Sequence, residues 1–246
     1  MAKKKIILMT GGIGLEFAKK AYENGETLTA YGSRKNQKYP YGTLLAGNIF
    51  EHPGDHSARV DHLLEQGVGT FVLNAAYNMD NDEEESQQNS FDQQMMFFTK
   101  MLGYILFNDE IKNFTLLYIS SITVAMDKQG AIPEKRKTTY VKMKVAQYDL
   151  LMQYADTLRS KGIKLIILQP GAIDTDMMDH LTPEKAVKLA NMFGKKCNMI
   201  QDVIFTAEEI GKFMCHILKI YSSITLPEPK IIPLFNHDQL GGSIEQ

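Results

Sequence analysis

A chain of 246 residues, 44% hydrophobic and 23% charged, carries enough apolar side chain to bury a sizeable core and has the balance of an ordinary soluble globular protein. Its formal net charge of −2 provides no electrostatic pull toward nucleic acid or an anionic membrane, so neither is expected as a partner. Cys197 and Cys215 stand far apart without metal-type spacing, which suits a reducing cytoplasm and argues against a disulfide framework.

Lys3-Lys4-Lys5 reads as a solvated lead-in to a strand, because the apolar stretch behind it is too short for a signal sequence or a membrane span. A strand over 5–10 runs into Gly11-Gly12. A helix over 13–24 follows, with Phe17, Ala18 and Ala21 apolar and Gly25 as its stop. Next come a strand at 27–33, a turn at 39–42, a strand at 44–47 and a helix at 57–66 closed by Gly67. His52 and His56 in this stretch are separated by Pro53-Gly54, which breaks a helix, and no metal is inferred. A strand at 69–73 ends in Asn74-Ala75-Ala76. The acidic run 80–88 has no apolar period and is expected to be a solvated loop. Beyond it the spacing predicts a helix at 91–107, a strand at 114–120, a long amphipathic helix at 139–160 and a strand at 163–168 that ends in Pro170-Gly171. Helices at 183–192 and 207–220 and a short strand at 230–234 complete the pattern. Such alternation predicts an α/β fold of the Rossmann type, a doubly wound and mostly parallel sheet with helices on both faces, in a single domain over 1–246.

One pair of side chains suggests chemistry. Tyr140 and Lys144 lie four apart at the start of a predicted helix and project from one face. A free tyrosine titrates near 10, and a neighbouring cation favours its phenolate, which makes it usable as an acid or base at neutral pH. The interval alone says little, since Tyr31 and Lys35 show it at a strand end. The surroundings add weight. The strand before it runs into Ser121, whose hydroxyl either faces a ligand or satisfies a turn, while Ser120 is expected to pack at the strand end. The strand after it ends in Gln169-Pro170-Gly171-Ala172-Ile173-Asp174-Thr175. Ligands of open α/β sheets bind outside the carboxyl ends of the strands, where these segments would meet.

Thr10-Gly11-Gly12-Ile13-Gly14, Leu73-Asn74-Ala75-Ala76, Ser121, Tyr140/Lys144 and Pro170-Gly171…Thr175 resemble, in order and rough spacing, the motifs of the compact short-chain dehydrogenase/reductases. The resemblance covers nearly the whole chain. It implies an NAD(P)-dependent oxidoreductase, a carbonyl reductase or alcohol dehydrogenase for a small, partly apolar substrate. Tyr140 would be the general acid, Lys144 would bind the nicotinamide ribose, and Ser121 would polarise the substrate carbonyl. The dinucleotide would lie along Thr10, Gly11, Gly12, Ile13 and Gly14, past Asn74, Ala75 and Ala76, and against Pro170, Gly171, Ile173 and Thr175. Family members that prefer NAD carry an acid after the second strand; here Ser33-Arg34 stands there and favours NADP(H) over NAD(H). Asn48 falls where the family has an aspartate near the adenine. A homodimer or homotetramer in the cytoplasm is typical of such proteins.

The sequence also departs from the family. Its glycine turn lacks the three variable residues that normally bring N–H groups around the phosphates. The interval from Ser121 to Tyr140 is long, and the polar segments 127–130 and 133–137 are expected to form a surface loop with a solvated basic end. The family's catalytic asparagine has no clean equivalent, its position falling among Phe91, Gln93, Gln94 and Phe98. Residues 175–206, with Met177, Met178, Leu181, Leu189, Met192 and Phe193, would be the substrate cover or ordinary packing. These departures keep open a non-catalytic nucleotide-sensing or interaction protein on the same scaffold. An epimerase or dehydratase of the extended branch would want more chain after Pro170-Gly171.

Overall fold

The computed structural model describes residues 5–9, 12–32, 41–46, 61, 64–65, 67–74, 84–174, 204–222, 224, 226 and 228–234. The predicted helix at 183–192, nearly all of the one at 57–66 and the start of the turn at 39–42 lie outside them.

Among the described residues, β1 (Lys5–Met9), β2 (Thr27–Gly32), β3 (Thr43–Ala46), β4 (Thr70–Leu73), β5 (Thr115–Ile119), β6 (Lys164–Pro170) and β9 (Lys230–Leu234) form one sheet. Its order is β3-β2-β1-β4-β5-β6-β9, and every pairing is parallel. The chain runs outward from β1 to β3 and then returns to the other side of β1 with β4. The sheet therefore reverses its winding between β1 and β4 and opens a crevice at their carboxyl ends.

Both faces of the sheet are covered, and strand parity decides which side chain meets which layer. Phe71, Leu116, Tyr118, Leu165 and Ile167 pack with α2 (Glu84–Phe107), α4 (Thr139–Gln153) and α5 (Ala155–Ser160). Val72, Leu117, Ile119, Ile166 and Leu168 face the other way, onto α1 (Gly12–Glu23) and α6 (Ala207–Ser222). Each such side chain, fully buried, contributes about 1.5–3 kcal/mol of transfer free energy. The helix α1 ends where the sequence places its stop. Gly25 takes φ +79°, its N–H reaches Tyr22 O and the next N–H, of Glu26, reaches Ala21 O, the paired bonds of a left-handed C-terminal cap.

Several expectations need correction. The acidic stretch expected to be a loop is helical from Glu84 onward, so α2 begins seven residues before the predicted start. Glutamate and glutamine are good helix formers, and Gln88 donates to Asp92 one turn on, so no apolar stripe is needed. The segment after Ser121 is helical too: α3 (Ile122–Lys128) takes in Asp127 and Lys128, and a 3₁₀ turn spans Glu134–Arg136. Its basic end is partly tied down, with Lys137 pairing with Asp127 at 2.8 Å and Glu134 at 2.7 Å. The long helix expected at 139–160 breaks at Tyr154 into α4 and α5. A second, two-stranded parallel sheet joins β7 (Ala172–Asp174) to β8 (Ile204–Thr206), both too short to stand out in the sequence.

The two helices on the α1 side approach very closely. A Cβ built on Gly211 of α6 would lie 2.8 Å from Phe17 N and 2.9 Å from Glu16 C, both backbone atoms that cannot turn aside. Gly211→Ala should therefore lower the unfolding free energy by about 1–3 kcal/mol through a shifted urea midpoint at unchanged slope. An unaltered midpoint would contradict so close a contact.

Candidate active site

The parallel register brings the carboxyl ends of the central strands level. Met9 pairs with Leu73, Leu73 with Tyr118, and Ile119 with Leu168. The next residues in each strand's path therefore emerge along one edge: Gly12 after β1, Asn74 after β4, Ser121 after β5 and Gly171 after β6.

The strand β1 is described through Met9 and the helix α1 from Gly12. Gly12 is exposed, while Ile13 and Gly14 are buried under the helix. Asn74 is buried, and its Nδ2 finds no acceptor among the described residues. A buried amide hydrogen without a partner costs about 1–3 kcal/mol, and a ligand that accepts it removes that cost. Pro170 is the buried last residue of β6, and Gly171 N–H donates to Leu234 O. A Cβ on Gly171 would meet only that oxygen, at an ordinary 3.6 Å. Ile173 lies in β7, opposite Phe205, and packs against the α1–α6 layer. Thr10, Gly11, Ser33, Arg34, Asn48, Ala75, Ala76 and Thr175 lie outside the described residues. So does the proposed cover apart from the three residues of β8.

The side that holds Ser121, Tyr140 and Lys144 is better defined. Ser121 is extended and caps α3. Its Oγ accepts from Thr123 N at 3.3 Å and from Thr123 Oγ1 at 2.9 Å, so the turn-satisfying role weighed in the sequence is real. Ser120, as expected, is buried at the strand end. The helix α4 starts with its own cap, Thr138 Oγ1 accepting from Val141 N, and Thr139 Oγ1 donates to Gln87 Oε1 at 2.9 Å. The unexpected polar extension of α2 therefore braces the start of the tyrosine helix.

From that start Tyr140 and Lys144 project on one face. Tyr140 is half-buried; Lys144 is only 1% exposed. Lys144 Nζ donates to Ile119 O at 2.9 Å and lies 5.1 Å from the Tyr118 ring centroid and 6.0 Å from that of Tyr140. Burial, with no carboxylate beside it among the described residues, pulls its ammonium down to about 7. Tyr118 is equally buried, and its hydroxyl donates to Gln147 Oε1 at 2.7 Å. Neither Tyr118 nor Gln147 stood out in the sequence. The only signals were the inward parity of Tyr118 and a polar residue three after Lys144 on the same helix face. Of the four positions weighed for an asparagine equivalent, Gln94 and Phe98 are buried and Phe91 and Gln93 half-buried. Gln94 Nε2 donates to Ser90 O, while Phe98 meets Tyr118 edge-on at 5.8 Å.

A model of the family described as short chain dehydrogenase matches residues 5–186. The chain belongs to the short-chain dehydrogenases. It is accordingly an NAD(P)-dependent oxidoreductase by family. Among solved structures it resembles a short chain dehydrogenase family protein from Francisella tularensis subsp. tularensis SCHU S4 at TM-score 0.69 and 16% identity, covering 95% of this chain and 97% of that one. A 3-oxoacyl-[acyl-carrier protein] reductase from Brucella melitensis in complex with NAD gives TM-score 0.70 at 16% identity, covering 99% and 100%. The ligand-free aldohexose dehydrogenase of Thermoplasma acidophilum gives 0.64 at 16%, covering 94% and 93%. At these identities the structures bear out the fold alone. No curated protein matches the sequence. No helix among the described residues is long and apolar enough to cross a membrane.

The buried lysine has a measurable consequence. Unfolded, it titrates near 10.4; folded, near 7. Between those values the unfolded chain binds the extra proton, so stability rises with pH across the window, and the penalty is complete below about 7. Lys144→Met should therefore be more stable than the parent at pH 6, on the order of a few kcal/mol, with the advantage shrinking toward pH 10. Urea unfolding at a series of pH values measures this, and a gap independent of pH would mean that Lys144 is not buried as a cation.

Proposed function

We propose that this dehydrogenase is an NADP-linked carbonyl reductase or alcohol dehydrogenase for a small, partly apolar substrate, with Tyr140, Lys144 and Ser121 at the reacting centre. The observation that carries the reading is Lys144, buried beside Tyr140 at the carboxyl edge of the sheet without a carboxylate partner among the described residues. A core gains nothing from such a cation, and strongly shifted groups in a cleft mark functional sites.

When bound, the nicotinamide supplies or accepts the hydride. In reduction Tyr140 gives its phenolic proton to the carbonyl oxygen, and Lys144 stabilises the charge left behind. Ser121 Oγ accepts from Thr123, which keeps its own hydrogen available to donate to the same carbonyl oxygen. The orphaned Nδ2 of Asn74 fits a dinucleotide passing the end of β4. The turn Thr10-Gly11-Gly12 would hold its phosphates at the amino end of α1. The segment Tyr31-Gly32-Ser33-Arg34-Lys35 holds no acid, and Arg34 with Ser33 would pair with a 2′-phosphate.

One observation favours a second reading, a nucleotide sensor with little turnover: Gly12-Ile13-Gly14 follows Thr10-Gly11 directly, without the three variable residues of the family's turn, leaving few N–H groups for phosphate. Titration of the purified protein with NADPH and NADH, followed by nicotinamide fluorescence, tests binding, and turnover by the bound form separates the two. Tighter binding of NADPH that Arg34→Ala weakens by about tenfold, with NADH unaffected, supports the NADP assignment. Failure of both dinucleotides to bind at millimolar concentration would overturn the enzyme proposal. Against a panel of small ketones and aldehydes, Tyr140→Phe should lose about 10²–10⁴ in turnover while its dinucleotide affinity stays within about threefold. Turnover equal to the parent removes Tyr140 from the chemistry.

A further inference from the structure

Tyr118 belongs to an apolar cluster with Phe71, Phe98, Leu116 and Ile167. A phenylalanine at 118 and a leucine at 147 would fill it without desolvating a hydroxyl and an amide. The chain instead places Tyr118 there, 1% exposed, and Gln147, 5% exposed, and joins them by a 2.7 Å hydrogen bond. Phe98 abuts the Tyr118 ring edge-on from α2, so the ring is fixed from α4 and from α2 together. Its face lies under Lys144 Nζ, closer than the Tyr140 ring. Gln147 stands three residues after Lys144 and seven after Tyr140, on one helix face.

We propose that Tyr118, locked by Gln147, is a positioning residue that holds the Lys144 ammonium on its ring face and sustains its charge where the described residues offer no carboxylate. The inference rests on the proposed function only for the use to which that charge is put. Among the described residues, the groups found against Lys144 are the Tyr118 ring and the Ile119 carbonyl from β5 and the Tyr140 ring from its own helix. The negative face of an aromatic ring attracts a cation most where water is excluded. Tyr118 itself does not compete for the proton. Burial first, and the charge of Tyr140 second, hold its phenol well above its ordinary range, so it remains neutral while Lys144 titrates. A neutral phenol is also what Gln147 Oε1 requires as a donor.

The test is a direct titration of Lys144 in the full chain, by NMR of protein labelled with ¹³C at the lysine ε carbon, the signal being assigned by its loss in Lys144→Met. Tyr118→Leu removes the ring and should lower the Lys144 midpoint by about one pH unit, a roughly tenfold loss of proton affinity. Tyr118→Phe restores the ring face and should return the midpoint to within about 0.3 of the parent. Gln147→Met keeps the volume but frees the phenol, and should lower the midpoint by about half a unit. If the three variants lose thermal stability yet share the parent midpoint, the pair only fills space and the proposal is overturned. A raised midpoint in Tyr118→Leu, as from water entering the gap, overturns it equally. Should Tyr118→Leu not fold, Gln147→Met decides alone, and an unmoved midpoint there is fatal. The titration needs neither substrate nor dinucleotide, so a failure of the proposed function would leave its outcome unchanged.

Discussion

Lys144 Nζ has exchanged water for one carbonyl oxygen and two aromatic rings. That exchange is unfavourable by itself, and it constrains everything around it. The carbonyl must be that of Ile119, so β5 must run to its last residue before turning. The rings come from two elements, Tyr118 by strand parity and Tyr140 by helix spacing, which fixes α4 against β5 in a single register. The cap at Thr138 and the bond from Thr139 to Gln87 then set where α4 begins, and with it the height of Tyr140. A slip of one residue in β5 would turn Tyr118 toward the α1–α6 layer and present Leu117 to the ammonium.

The central sheet was legible because its strands are buried on both faces and therefore read as short apolar runs closed by glycine or proline. For β4, β5 and β6 the predicted bounds fall within two residues of those found, and for β9 they coincide. The start of α1 and its glycine stop were equally plain, since Phe17, Ala18 and Ala21 recur at helical spacing against the core. The Tyr140–Lys144 pair was legible only beside Ser121, Asn74 and Pro170-Gly171, since its interval recurs at Tyr31 and Lys35, and the burial of Lys144 was not anticipated.

What escaped notice has a common physical origin. The first two turns of α2 are held by polar helix formers and by contact with α4, and neither leaves an apolar period. The helix α3 buries only Val124 and depends on the Ser121 cap, so its seven residues resemble a loop in sequence. The strands β7 and β8 gain their structure from one another, a long-range pairing that no local window contains. Tyr118 sat inside a run that looked uniformly apolar, and Gln147 inside an amphipathic helix where a polar residue suggests solvent. Both became meaningful only when two buried polar groups proved to be each other's partner.

The two halves of the cleft are built on different principles. The acid/base half is braced by core: α2, α4 and β5 each contribute a side chain that another side chain fixes. The other half lies at the ends of β4 and β6. It includes Asn74, whose amide donor is left without a partner among the described residues. Preorganised donors and a fixed charge favour the step in which a proton moves, since they are in place before the reaction begins. Turns with unsatisfied groups favour a step in which a ligand arrives and completes them. In a two-substrate dehydrogenase this division would place rigidity beside Tyr140 and Lys144, where the proposed proton transfer occurs, and the unsatisfied donor of Asn74 where a ligand arrives.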